Sequence, residues 1–300
     1  MLKVLIFIVL YYIYGLSLST CLLYVFTYTF GRDIFTICYW LYKLNFRLKI
    51  NLLEKYGKNS WALITNVSDN LGKELCIELA KSGLNLILID KDLNKLANVI
   101  QDIKFFSAKT EIETIIYDFN KEINIKEFLE VFKEIKTYDI SILVNNIGRT
   151  LNSSFDTADI KELEEMIKVN VKGHILITKL LLSNVSVRNM SAIINITSGI
   201  CPIPNDKFAM YTATKQVEDF LSRSLHEEYK GKIDILTVRP FKIKNLTEKA
   251  SLFSVSVEEF TNSIMSSIGH DKITYGPWKH QVIGYLITLI PESISLKLFF

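Results

Sequence analysis

Residues 61–83 read WALITNVSDNLGKELCIELAKSG. Trp61 to Ile64 form a short apolar run, Thr65 to Gly72 carry turn-forming residues, and a helical spacing of apolar residues follows. A strand, a tight turn and a helix in that order make a cradle for a nucleotide pyrophosphate. The first N–H groups of the helix lack intrahelical partners and point at the ligand. Such cradles are usually built from glycine. Here only Gly72 remains, and Asn66 and Asn70 stand where two more glycines are expected. Asparagine is among the non-glycine residues most tolerant of positive φ, so the turn is expected to form with a weakened or altered hold on its ligand.

Further strand-like runs follow at 84–89, 113–118, 140–146, 191–198 and 232–240. Helical patterns lie between and beyond them at 72–82, 92–104, 122–136, 159–183 and 211–229. Several of the strands are continuous β-branched runs, as expected when helices cover both faces of a sheet. The βαβα order predicts an α/β fold, a Rossmann-like doubly wound parallel sheet.

The chain has 300 residues, enough for one large domain and an appendage. Its formal charge of +3 is spread along the sequence, which gives no reason to propose nucleic acid as a partner. Cys21, Cys38, Cys76 and Cys201 have no metal-ligand spacing, nor do the four histidines, so no metal site is expected. From Val4 to Phe30 no residue is charged, a run long enough to span a bilayer. Leu18-Ser19-Thr20-Cys21 makes a poor signal-peptidase site, so the run reads as a membrane anchor. Lys43, Arg47 and Lys49 outweigh Lys3, which puts the following domain in the cytosol. The expected organisation is an anchor and juxtamembrane segment over 1–50, the α/β domain over 51–280, and an apolar membrane-facing tail over 281–300. Pro291 and Glu292 interrupt that tail, so a membrane-facing or core-packed helix is expected there rather than a second span.

The residues that carry chemistry lie later in the chain. Tyr-x-x-x-Lys occurs at several places in this tyrosine-rich sequence. Only Tyr211–Lys215 opens a helical segment after an apolar strand and has a serine, Ser198, upstream at the strand end. Four residues apart, Tyr211 and Lys215 share one helix face. An ammonium beside a phenol favours the phenolate form, which suits a general acid that protonates a developing alkoxide. Ser198 could hydrogen-bond the same oxygen.

Ser198, Tyr211 and Lys215 resemble the catalytic set of the short-chain dehydrogenase/reductases. Asn145-Asn146-Ile147-Gly148 is similar to that family's NNAG element, and Asn170, in MIKVNVKG, matches the asparagine that completes its tetrad. The resemblance covers about residues 57–246. NITSGICPIP, MYTATK, SLHEEYK and VRPF are similar to the membrane-bound branch of very-long-chain 3-oxoacyl-CoA reductase and 17-beta-hydroxysteroid dehydrogenases types 3 and 12. The resemblance implies reduction of a lipophilic ketone to an alcohol with NADP(H) or NAD(H), at the endoplasmic reticulum membrane. It implies catalytic roles for Asn170, Ser198, Tyr211 and Lys215. It implies cofactor contacts from Thr65, Asn66, Ser68, Asn70, Leu71, Gly72, Asp90, Lys91, Asp118, Asn145 and Pro240, with Tyr211 and Lys215. By analogy, helices 159–183 and 211–229 would pair two copies into a homodimer.

Two departures qualify this reading. Asn66 and Asn70 replace loop glycines. Asp90-Lys91 stands where the branch usually has Ser-Arg; a carboxylate there favours NAD, and Lys91 pulls the other way. Alternatively, Asp90 caps the next helix. A second reading is a membrane-anchored interaction protein that keeps the fold and has lost turnover.

Overall fold

The structure, a computed structural model, describes residues 11–12, 15, 17–46, 48–244 and 254–289. The chain divides into two compact units, Met1–Leu48 and Lys49–Phe300. The first contains α1 (Leu18–Phe46). The second begins with α2 (Leu52–Tyr56) and continues through β1 (Trp61–Thr65), α3 (Asn70–Lys81), β2 (Asn85–Asp90), α4 (Leu93–Phe106) and β3 (Ile112–Ile116). Then come α5 (Ile125–Val131), β4 (Ile140–Asn145), α6 (Ile160–Met166), a π-helical segment (Ile167–Gly173) and α7 (His174–Val185). β5 (Ser191–Ile196), α8 (Ala209–Glu228), β6 (Ile233–Val238), β7 (Ile243–Lys244) and β8 (Val255–Ser256) follow. The last described elements are α9 (Val257–Ser267), β9 (Ile273–Thr274) and α10 (Trp278–Leu289).

Seven strands form one sheet in the order β3-β2-β1-β4-β5-β6-β9, every neighbouring pair parallel. The chain winds outward from β1 in one direction and from β4 in the other, so the topological switch falls between them. Alternate strand residues feed two separate cores. Ala62, Ile64, Leu86, Leu88, Ile142 and Val144 pack with α3, α4 and α9 on one face. Leu63, Ile87, Ile89, Leu143, Ile193 and Ile235 pack with α5 and α7 on the other. The expected doubly wound sheet is therefore present, with one strand more than the sequence indicated. β9 pairs through only Ile273 and Thr274, too short to leave a periodic signal.

Side-chain caps start six of the described helices, but not α7 or α8. Asn51, Asp69, Asp92, Asn124, Asp159 and Ser256 each accept a backbone N–H of the first turn. The helical stretch expected at 159–183 is continuous in direction but changes to π geometry at Ile167–Gly173.

The expected anchor at Val4–Phe30 lies partly on residues 1–10, 13, 14 and 16, outside the described residues. Its described part runs on into Arg32 and Asp33 within α1, which lowers the hydropathy of that helix. Among the described residues no helix is long and apolar enough to cross a membrane. The described part of the tail packs on the domain through one face. His280, Gly284 and Ile287 form a buried stripe on α10, with Gly284 against the Tyr275 ring and His280 against Phe241 and Phe260. The 281–289 part of the tail thus packs on the domain; residues 290–300 lie outside the described residues.

Phe260, fully buried on α9, joins these parts, since it also fills the space beside Gly276. Replacing Phe260 with alanine is expected to lower unfolding free energy by about 3–5 kcal/mol, read by urea denaturation.

Candidate active site

The β1–α3 loop forms despite its missing glycines. Asn66 adopts φ 55, the left-handed conformation that the turn requires. Its N–H donates to Ile89 O at 2.8 Å, and its side-chain amide donates to Asp69 Oδ2 at 2.7 Å and Asn146 O at 3.3 Å. Asn146 replies, donating to Asn66 O at 3.1 Å and Asp69 Oδ2 at 2.9 Å. Asp69 Oδ1 accepts the Gly72 N–H at 2.5 Å. Burial raises the Asp69 carboxyl above its ordinary range against the pull of these donors. A Cβ on Gly72 would lie 2.5 Å from Asn66 O, so glycine is sterically required there. Asn70 differs from Asn66. It is an ordinary first-turn residue of α3, exposed at the helix start, and needs no positive φ.

Thr65 is buried and ties β1 to β4, donating to Val144 O at 3.3 Å and accepting from Asn146 N at 3.0 Å. Leu71 packs into the core, and Ser68 donates its N–H to Asp90 Oδ2 at 2.8 Å. Asp90 also accepts from the N–H groups of Lys91 and Asp92, at 2.8 and 3.2 Å. It does not cap the following helix; Asp92 does, being the residue directly before α4. Asp90 instead braces the loop from the end of β2.

Asn66, Asp90, Lys91 and Asp118 line one cleft of about 140 Å³, together with Gly148 and Val169. The cleft runs over the carboxyl ends of β1 to β4, beside the switch point. Burial opposes the Asp118 charge, but two hydrogen bonds from Asn120 outweigh it and hold the carboxyl below its usual range. An exposed helix start, an acceptor at Asp90 and an acid at Asp118 fit a dinucleotide. Asn145 lies elsewhere. It is fully buried, donating to Thr178 Oγ1 at 2.9 Å and Asn195 Oδ1 at 2.8 Å, and contributes to the sheet interior rather than to the cleft.

The π-helical segment carries Asn170. Its Oδ1 accepts the Arg149 N–H at 2.7 Å, and its amide donates to Arg149 O and to Thr214 Oγ1 on α8. Asn170 therefore fastens the loop after β4 to the helix that bears Tyr211 and Lys215. Single π turns inside α-helices often mark functional sites. Ser198 follows β5, buried, its Oγ accepting from Ile200 N at 3.4 Å. The adjacent Gly199 N–H donates to Pro240 O at 2.8 Å, which sets the end of β5 beside the end of β6.

Lys215 is buried and one turn beyond Tyr211, which is partly exposed. Its Nζ donates to Ile147 O at 3.2 Å, Ile196 O at 3.1 Å and Glu218 Oε2 at 2.8 Å. Gly148 leaves room for it; a Cβ there would lie 3.1 Å from Nζ. Burial opposes the ammonium, and Glu218 and Tyr211 outweigh it, holding Lys215 above the ordinary lysine range. Glu218 is the functional candidate absent from the sequence reading. Residues 211, 215, 218 and 222 follow helical spacing, so the position of Glu218 on the Tyr211–Lys215 face was available from the sequence. His174 is fully buried, and burial with the Lys215 charge lowers it to about 3.

Residues 60–251 match the family described as short chain dehydrogenase. The chain is 34% identical to hydroxysteroid dehydrogenase-like protein 1 of Gallus gallus, covering 82% of this chain and 76% of that protein. It is 33% identical to the very-long-chain 3-oxoacyl-CoA reductase of Homo sapiens, over 81% and 79% of the two chains. It is also 31% identical to the human inactive hydroxysteroid dehydrogenase-like protein 1, over 88% and 84%. A structure concerned with 7beta-hydroxysteroid dehydrogenase stereoselectivity superposes with a TM-score of 0.74 at 17% identity, covering 83% of this chain and 98% of that one, a likeness of fold. The chain belongs to the short chain dehydrogenase family, oxidoreductases that use NAD(P)(H).

Proposed function

We propose that the chain is a reductase of a lipophilic ketone, a 3-oxoacyl-CoA or a steroid. The observation that carries this reading is the Tyr211–Lys215 pair on α8, fastened through Asn170 to the loop that ends the dinucleotide cleft. The names of the relatives support both substrate classes. The uncharged stretch Val4–Phe30 supports attachment to a membrane, where such substrates partition.

A bound nicotinamide supplies the hydride for the carbonyl carbon. Tyr211 gives its proton to the carbonyl oxygen, which leaves the alcohol, and recovers a proton from solvent. Ser198 orients the oxygen, and Lys215 stabilises the phenolate that Tyr211 becomes. Asn170 holds the loop after β4 and α8 in register, so that the acid keeps its place. Asp90 accepts from ribose hydroxyls and disfavours a 2′-phosphate, whereas Lys91 on the same cleft attracts one.

The second reading is a fold-retaining interaction protein without turnover. It is favoured by the relative named inactive and by the engagement of Lys215 within the protein. The two readings separate by experiment. Tyr211→Phe is expected to lower ketone-dependent NAD(P)H oxidation by about 10²–10⁴-fold with KM little changed, and unchanged turnover refutes the acid role. Fluorescence titration with NADH and NADPH is expected to show binding; failure of both at millimolar concentration favours the second reading.

The loop is expected to answer differently at its two asparagines. Asn70→Gly clears the helix start and should tighten cofactor binding in the same titration. Asn66→Ala forces a residue with a Cβ and no local hydrogen bond into the left-handed turn. It should cost about 1–2 kcal/mol of stability, measured by denaturant unfolding.

A further inference from the structure

The carboxylate of Glu218 lies 2.8 and 3.2 Å from Lys215 Nζ, with the lysine side chain 5% exposed and the glutamate 1%. A buried ion pair contributes little net stability, because desolvation of both charges offsets their attraction. Its position gives it another consequence. Lys215 acts on the Tyr211 phenol through its positive charge, and an ionised carboxylate in contact with the ammonium cancels part of that field. Lys215 has three hydrogens, and Ile147 O, Ile196 O and Glu218 take them. Loss of the Glu218 charge would free both the field and one donor.

We propose that Glu218 is a positioning residue that, while ionised, occupies a donor of Lys215 and offsets its charge at Tyr211, and that releases both on taking up a proton. The inference rests on the reductase reading for its meaning in turnover, but not for its test.

The groups around the pair leave this role to Glu218. On α8 itself they are Tyr211 and Asp219, and Asp219 accepts from Arg223 and twice from Arg239. From α7 comes His174, lowered to about 3 and therefore neutral. From the segment after β5 comes Cys201, whose thiol burial pushes up to about 12 and keeps protonated. From the end of β6 comes Arg239, held above the ordinary arginine range although burial opposes it, because Asp219 and Tyr275 outweigh that penalty. Burial lifts Glu218 above the ordinary carboxylate range against the pull of Lys215, so its carboxylate takes up a proton more readily than a solvated one.

The test is ionisation of Tyr211 in the full chain, read as the tyrosinate absorbance of each protein minus its Tyr211→Phe counterpart. In Glu218→Gln the Tyr211 phenolate is expected at a pH lower by about one unit or more than in the wild type. Glu218→Met, apolar and of similar length, should move it the same way if the glutamine variant fails to fold, and Glu218→Asp should restore the wild-type midpoint. With a ketone substrate, the alkaline limb of kcat/KM in reduction should shift down with it. Equal midpoints in the wild type and the neutral variants overturn the inference. Absence of ketone turnover with a shifted midpoint refutes the reductase reading alone.

Discussion

The turn from β1 into α3 has no room for a Cβ at Gly72. Asn66 O lies where that atom would go, and Asp69 and Asn146 close the remaining sides. This close packing joins the ends of β1 and β4 at the topological switch, and the cleft beside it depends on their separation. The three side chains around the glycine also do the work of the missing glycines. Asn66 supplies the left-handed backbone, and its amide is held by Asp69 and by the Asn146 carbonyl. A left-handed residue with a short amide costs less than one with a bare Cβ, since its side chain bonds locally. The loop is thus a modified cradle whose geometry survives substitution at Asn66. At Asn70 the substitution places a side chain at the exposed start of α3.

Much of the fold was legible because the parallel strands are buried on both faces and read as β-branched runs. WALIT at 61–65 matches its strand, and the runs at 140–146 and 191–198 overrun theirs by one and two residues, the strands ending at Asn145 and Ile196. What the sequence left hidden has physical reasons. Two-residue β9 has no period, and the π turn at Ile167–Gly173 has helical composition; it shows only in the tertiary bonds of Asn170. Asp90 and Asp92 are both good caps by type, and adjacency to the first helical residue decides for Asp92. Asn145 sits in a motif beside the cleft, yet its side chain turns inward to Thr178 and Asn195.

Glu218 escaped notice for a different reason. A glutamate on a helix is ordinarily read as solvated, and nothing in its local sequence contradicts that. Placed on the wheel with Tyr211, Lys215 and Ser222, it falls on a face that is buried from Lys215 to Ser222. Thr212, Thr214, Lys215, Glu218, Asp219 and Ser222 are all buried on α8, so this helix packs with polar groups where its neighbours use apolar ones. Such a face is stable only when each group has a partner. Thr214 bonds Asn170, Ser222 bonds Asn195 and Thr237, and Lys215 reaches the ends of β4 and β5.

The two consecutive acids on that face have unequal partners. Asp219 receives a two-pronged bond from Arg239, at 2.7 and 2.8 Å, and a third from Arg223 at 2.9 Å. A guanidinium holds its charge at any working pH and its planar fork fixes the carboxylate, so Asp219 is a permanent strut between α8 and the end of β6. Among the described residues Glu218 has Lys215 alone as partner, and that lysine also serves two carbonyls and interacts with Tyr211. Removing the Asp219 charge would strand a buried arginine. Neutralising Glu218 leaves Lys215 with two carbonyl acceptors and a phenol. The fold therefore leans on the Asp219 charge, whereas the proton count at Glu218 can change with Lys215 still held by the Ile147 and Ile196 carbonyls.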